Sequence, residues 1–122
     1  MNHKFYVSLK AARLLKEKGY NEVCDCVIDD DGDIFEDEYQ INQDLPEWKW
    51  SCPTKAEAIN WLENKGIMIE IALDIDECAW IFNIVDKEKF ITIYHPKDRE
   101  FFTDRLETEE AAIIKALKYL IM

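Results

Sequence analysis

The sequence predicts an α+β fold in one domain spanning 1-122: a mostly antiparallel sheet of about five strands with three helices packed on it. Three observations carry this prediction. The chain has 122 residues, 48% of them apolar, which is one domain's length with enough hydrophobic material for a core. Three segments carry helical periodicity behind the helix-capping residues Ser8, Thr54 and Thr108. Between them lie apolar–polar alternations separated by links too short for parallel crossovers. The expected order is α-ββ-α-βββ-α, with the helices on one face of the sheet.

The first helix is read over 8–18. The Ser8 hydroxyl can accept a first-turn N–H, and Leu9, Ala11, Ala12, Leu14 and Leu15 form the apolar stripe. Gly19 ends it, because glycine enters the left-handed region cheaply. Strands follow over 24–29 and 34–39, joined by the turn Asp30-Asp31-Gly32-Asp33. Cys24, Cys26 and Ile28 share one strand face. The stretch 40–50 contains Pro46 and the alternating Trp48 and Trp50; a short edge strand and a loop folded over the core both fit it.

The second helix, 54–65, opens on the capping box Thr54-x-x-Glu57 and closes at Gly66. Ile67, Ile69, Ile71, Leu73 and Ile75 alternate with Glu70 and Asp74 as a half-buried strand. Cys78, Trp80, Phe82 and Ile84 repeat the pattern, and 90–95 makes a third strand closed by Pro96. The link 97–105 is polar, with room for a short Phe101-Phe102 strand. Thr108 is expected to cap a final helix to Ile121, with Glu109 and Glu110 at its positive end.

Charge is distributed unevenly. The net charge is -11, from 26 acids and 15 bases. Eleven of the acids lie between Glu22 and Glu47, where there is no Lys or Arg, so the rest of the chain is balanced. Residues 1–21 are basic, with Lys4, Lys10, Arg13, Lys16 and Lys18 against Glu17. The acidic segment is expected either to fold against this basic helix, to meet a basic partner, or to remain a solvated surface. Direct nucleic-acid binding is disfavoured, because phosphate affinity needs clustered cations. No apolar run is long enough for a membrane span, and the N-terminus does not read as a signal peptide, so a cytoplasmic location is expected.

Cys24, Cys26, Cys52 and Cys78 are then expected to be reduced thiols, and small buried residues rather than zinc ligands. The acids at 29, 31 and 33 fit the start of a calcium loop. Ile34 and Gln40 stand where that loop requires Gly and Glu, so a turn is the better reading and no metal site is assigned. No cofactor motif occurs, and no nucleophile elbow, phosphate loop or His-x-x-x-His spacing points to catalysis.

The stretches LKAARLLKEKGYNEVCDCVIDDDGD, CPTKAEAINWLENKGIMIEI and TEEAAIIKALKYLI resemble a group of short uncharacterised proteins of gut bacteria and their phages. That group's pattern runs LLKEKGF-x-E-x-C, DxDG, PTQ-A-x-x-WL and an acidic final helix. Lys55 replaces its Gln, and Val23 stands where Pro is frequent. The resemblance implies a phage or mobile-element accessory protein and brings no activity with it.

The expectation is a non-enzymatic protein-binding module, monomer or weak homodimer. Asp29, Asp30, Asp31, Asp33, Glu36, Asp37, Glu38 and Asp44 would steer a basic protein partner, and Trp48 and Trp50 would supply buried area. The alternatives are a divalent-cation-responsive protein using Asp29, Asp31 and Asp33, and an enzyme of unknown class with a Cys/His site.

Overall fold

A computed structural model describes residues 3–93 and 100–120. After a short 3-10 turn, His3–Phe5, the chain runs α1 (Leu9–Glu17), β1 (Cys24–Asp29), β2 (Ile34–Gln40), a second 3-10 turn (Asn42–Asp44) and β3 (Lys49–Ser51). It continues through α2 (Lys55–Asn64), β4 (Ile67–Asp74), β5 (Ala79–Asp86) and β6 (Ile91–Thr92) to α3 (Arg105–Tyr119). The α+β class and the three helices are as expected, but the single sheet is not. There are two antiparallel three-stranded sheets, ordered β2-β1-β3 and β4-β5-β6.

β1 has both its edges filled: β2 occupies one, and Val27, Ile28 and Asp29 pair with Ser51, Trp50 and Lys49 of β3 on the other. The second hairpin could extend this sheet only at β2 or at the three-residue β3, and it pairs with neither. The helices consequently do not lie on one face of a common sheet. α1 packs on β1 and β3, α2 on β4, and α3 on β4 and β5; α3 also touches α1 and α2, so the helices form the seam between the sheets. One continuous core runs through it, from Cys24, Cys26 and Ile28 past Ala11, Leu15, Ala112, Ile113 and Leu117 to Ile67, Phe82 and Ile84.

Caps explain where the helices begin and end. Ser8 Oγ accepts the Ala11 N–H at 3.2 Å. Ser8 is itself held by α3: its N–H and hydroxyl donate to the two Glu110 carboxylate oxygens at 3.0 and 2.6 Å. A residue expected to favour the start of α3 thus places a carboxylate at the positive end of α1. At the other end of α1, Tyr20 N–H reaches Leu15 C=O and Gly19 N–H reaches Lys16 C=O, the double bond of a Schellman close, with Gly19 at φ +94°. The α2 capping box forms in full between Thr54 and Glu57.

α3 starts earlier than the sequence suggested. Asp104, not Thr108, is its N-cap, with Oδ1 accepting the Leu106 and Glu107 N–H groups at 2.6 and 3.4 Å. Thr108 lies one turn in and fully buried, its hydroxyl donating to the Asp104 carbonyl.

The second sheet also departs in detail. Cys78 is not a strand residue but an exposed turn residue at φ +51°, and β4 stops at Asp74, one residue short of Ile75. Of the expected strand 90–95, Ile91–Thr92 forms β6, and 94–95 lie outside the described residues. Phe90 sits in the turn before β6 at φ +56°. Phe102 does pair, bridging Trp80 through N–H···O bonds of 2.7 and 3.0 Å.

The β4–β5 register runs unbroken from Ile67↔Asp86 to Asp74↔Ala79. Lys87 N–H donates to Gly66 C=O, and Trp80 spends its backbone groups on Phe102. Antiparallel alternation then assigns the backbones of Met68, Glu70, Ala72 and Asp74 to β5. The N–H and C=O groups of Ile67, Ile69, Ile71 and Leu73 point to the free edge of the sheet.

Candidate functional site

The acidic segment is built on the β1–β2 hairpin. Asp29 organises the turn: its Oδ1 accepts the N–H groups of Asp31 and Asp33, both at 3.0 Å, while its backbone pairs with Asp33 and Gly32. Gly32 sits at φ +84° with open space around it, so the backbone angle and not crowding calls for glycine. Asp30, Asp31, Asp33 and Glu36 are exposed and Asp29 half-buried. Asp29, Asp30, Asp31, Asp33, Glu36 and Asp44 form no ion pair among the described residues.

β3 brings aromatic surface beside this turn. Lys49 lies opposite Asp29 in the register, and its ammonium sits 4.9 Å from the Trp48 ring centre and 6.0 Å from that of Phe35. Trp48 is 53% exposed and Phe35 42%. Four carboxylates and two rings are thus gathered at one end of the first sheet. Phe35 was not singled out from the sequence, although its position one residue after Ile34 puts it on the opposite face of β2 from the core.

The other expected contact residues are placed differently. Trp50 pairs with Ile28, packs half-buried against the core and lies 4.8 Å beneath the Arg13 guanidinium. Its ring is engaged by α1. Asp44 is exposed but stands in the 3-10 turn fastened to the α1–β1 connection: Asn42 Nδ2 donates to the Tyr20 carbonyl at 2.7 Å, and Gln43 N–H to Asn21 Oδ1 at 2.9 Å. Asp37 and Glu38 lie in β2, where the register slips between Cys24 and Cys26.

Among the described residues, the basic helix forms no ion pair with the acidic segment. Lys16 Nζ donates to the carbonyls of Pro46 and Lys49, at 3.3 and 3.1 Å. Arg13 stacks on Trp50, and Lys10, Arg13 and Lys118 line a shallow groove of about 480 Å³ with Leu9 and Leu14. The helix therefore meets the acidic segment through rings and carbonyls.

Thiol chemistry is directed inward. Cys24, Cys26 and Cys52 are buried, and burial pushes their thiols up: Cys24 to about 11 and Cys52 to about 12, with Cys26 moving the same way. Cys24 Sγ lies 3.5 Å from the Tyr20 hydroxyl, and Cys52 donates to the Val7 carbonyl. Such thiols are poor nucleophiles, because the thiolate is the reactive form. Cys78 alone among the four is exposed. His3 is exposed in the first 3-10 turn.

For a cation, one ligand atom each of Asp29, Asp30 and Asp31 lies within 4.8 Å of the others. This set replaces Asp33 of the sequence reading with Asp30, and Asp29 Oδ1 is already engaged by two backbone N–H groups. No helix of the described residues is long and apolar enough to cross a membrane. No protein-family model, curated protein or solved structure matches the chain.

Proposed function

We propose that this chain is a non-enzymatic accessory protein of a phage or mobile element that binds a basic protein partner through the acidic end of its first sheet. The carrying observation is the turn Asp29–Asp33 beside two exposed rings, Phe35 and Trp48, with no ion pair to any of its carboxylates among the described residues. The carboxylates would steer a cationic partner, and the rings would provide the desolvated contact that holds it. The origin rests on the resemblance of the sequence blocks, and the non-enzymatic reading on three buried thiols with raised pKa. Asp44, on its separate loop, and the engaged Trp50 would contribute less than Trp48.

Affinity capture with the full chain tests this reading at two ionic strengths. A partner should be retained at low salt and lost at about 1 M, where the Debye length falls to roughly 3 Å. The same partner should be lost when Asp30, Asp31 and Asp33 are changed together to Asn. Capture indifferent to both salt and the triple change overturns the proposal.

A second reading, cation-dependent switching at the same turn, is favoured by the proximity of Asp29, Asp30 and Asp31. It expects the melting temperature to rise between chelator and millimolar Ca²⁺. Superimposed melting curves would remove it.

A further inference from the structure

Each sheet edge in this fold is treated differently. β2 carries the run Glu36-Asp37-Glu38 and an irregular register, both of which discourage strand addition. β3 is three residues long, and Asn42 Oδ1 accepts its outward Ser51 N–H at 2.7 Å. β6 has two residues. β4 has eight, with no bulge, no proline, no Lys or Arg, and Glu70 as its one charge before the terminal Asp74. The outward N–H and C=O groups of Ile67, Ile69, Ile71 and Leu73 have no partner among the described residues. Leu73, which the strand period assigns to the core-facing side, is 53% exposed.

We propose that β4 pairs antiparallel with β4 of a second copy, joining two three-stranded sheets into one of six strands. The pairing is centred on Ile71, which stands opposite Ile71 of the partner subunit on the two-fold axis. Ile69 then faces Leu73 of the partner subunit, and these three hydrogen-bonded pairs exchange about six bonds. Glu70 falls opposite Ala72 of the partner subunit, so no like charges meet. Shifting by one pair to centre on Glu70 would set two carboxylates face to face.

The chosen register is centred toward the C-terminal end of β4, because α2, which joins the start of the strand through Gly66, is too short to run its whole length. α2, with ten residues, is about 15 Å long, whereas eight strand residues span about 27 Å. The exposed Leu73 would be covered by Ile69 of the partner subunit. The acidic hairpin belongs to the other sheet. This pairing does not depend on the partner-binding reading.

Sedimentation equilibrium on the full chain at about 100 μM tests association, since a micromolar dimer is nearly saturated there. A dimer is expected, strengthened by salt because screening relieves repulsion between two acidic copies; capture through the acidic hairpin has the opposite salt response. Leu73→Pro removes an N–H that makes no bond within the subunit and should return the chain to monomer. Leu73→Lys should do the same at an exposed site, and decides the matter if the proline variant melts early.

Register is read by mixing a Glu70→Cys chain with an Ala72→Cys chain, each also Cys78→Ser. Directly opposed Cα atoms of such a non-hydrogen-bonded pair lie about 4.5 Å apart, within disulfide range. Mixed disulfide dimers should form under oxidation, and neither chain alone should cross-link. A monomer at every concentration and salt overturns the proposal. So does a dimer untouched by both Leu73 changes, or one whose mixed chains fail to cross-link.

Discussion

The two sheets share a seam of helices yet solve the problem of their outer surfaces in opposite ways. The first sheet places Cys24, Cys26 and Ile28 in the core with α1 and turns carboxylates to solvent. Its strands are short or irregular, and Asn42 blocks the β3 edge. The second sheet is built on an isoleucine-rich hairpin of two eight-residue strands with a regular register, and its β4 edge has no partner among the described residues. On the proposed reading, charge would make the first sheet a surface for contacts at a distance, where field strength matters. Backbone left unpaired among the described residues would make the second a surface for contacts at hydrogen-bond range. Net charge and hydrogen-bonding edges are separate resources, and this chain segregates them.

The most severe way to break the comparison is to cut the seam. Leu117 is fully buried in α3. Leu117→Ala should cost about 2–5 kcal/mol. Because one core spans both sheets, Trp50 in the first and Trp80 in the second should lose their native fluorescence in a single transition. Separate transitions for the two would mean that the sheets are independent units.

A smaller effect, about 1 kcal/mol in each case, is expected from Thr54→Ala and Asp104→Ala, which remove the N-caps of α2 and α3. Denaturant titration should show a lower midpoint with an unchanged slope.

A pH-dependent contribution belongs to the second sheet. The Lys89 backbone N–H, with the Tyr119 hydroxyl at 2.9 Å and the Glu88 N–H, holds the Asp86 carboxyl below its ordinary value despite its burial. The folded pKa is depressed, so the stabilisation is present above the unfolded carboxylate range and is lost as pH falls through the folded value. Asp86→Asn should therefore lower the melting temperature at neutral pH and flatten its acid dependence. An unchanged acid slope would remove Asp86 as its source.

Thiol labelling sharpens the contrast without disturbing stability. In the folded protein one equivalent of alkylating reagent should react, at Cys78, and three more only after unfolding. The smallest stability effect is expected at the acidic turn. Asn at Asp30, Asp31 and Asp33 together should shift stability by no more than about 0.5 kcal/mol per site, since all three side chains are exposed. A large loss would make the turn a structural element and not a contact surface.

Much of this was legible in the sequence because it is local. The α2 capping box, the α1 stop at Gly19, the hairpin turn at Asp29–Asp33 and the burial of Cys24 and Cys26 depend on residues within a few positions of one another. Errors arose where two local signals competed. Asp104 and Thr108 are both good caps, and tertiary burial of Thr108 selected the earlier one. Cys78 continued an alternating pattern, but four residues, 75–78, were needed to reverse the chain between β4 and β5.

The acidic site was half legible. Its charge could be counted, while the exposure of Phe35 and Trp48 and the engagement of Trp50 by Arg13 required the register of β3, a three-residue strand too short to show a period.

The sequence alone determined the class of the fold, its three helices, two well-defined hairpins and the placement of every unbalanced charge in one segment, because periodicity, caps and charge are properties of neighbouring residues. Tertiary structure decided that there are two sheets, that Glu110 serves α1, and that β4 is an edge strand with no further partner among the described residues. Those outcomes depend on which distant strand reaches a given edge first, and side-chain period is the same whichever neighbour a strand accepts.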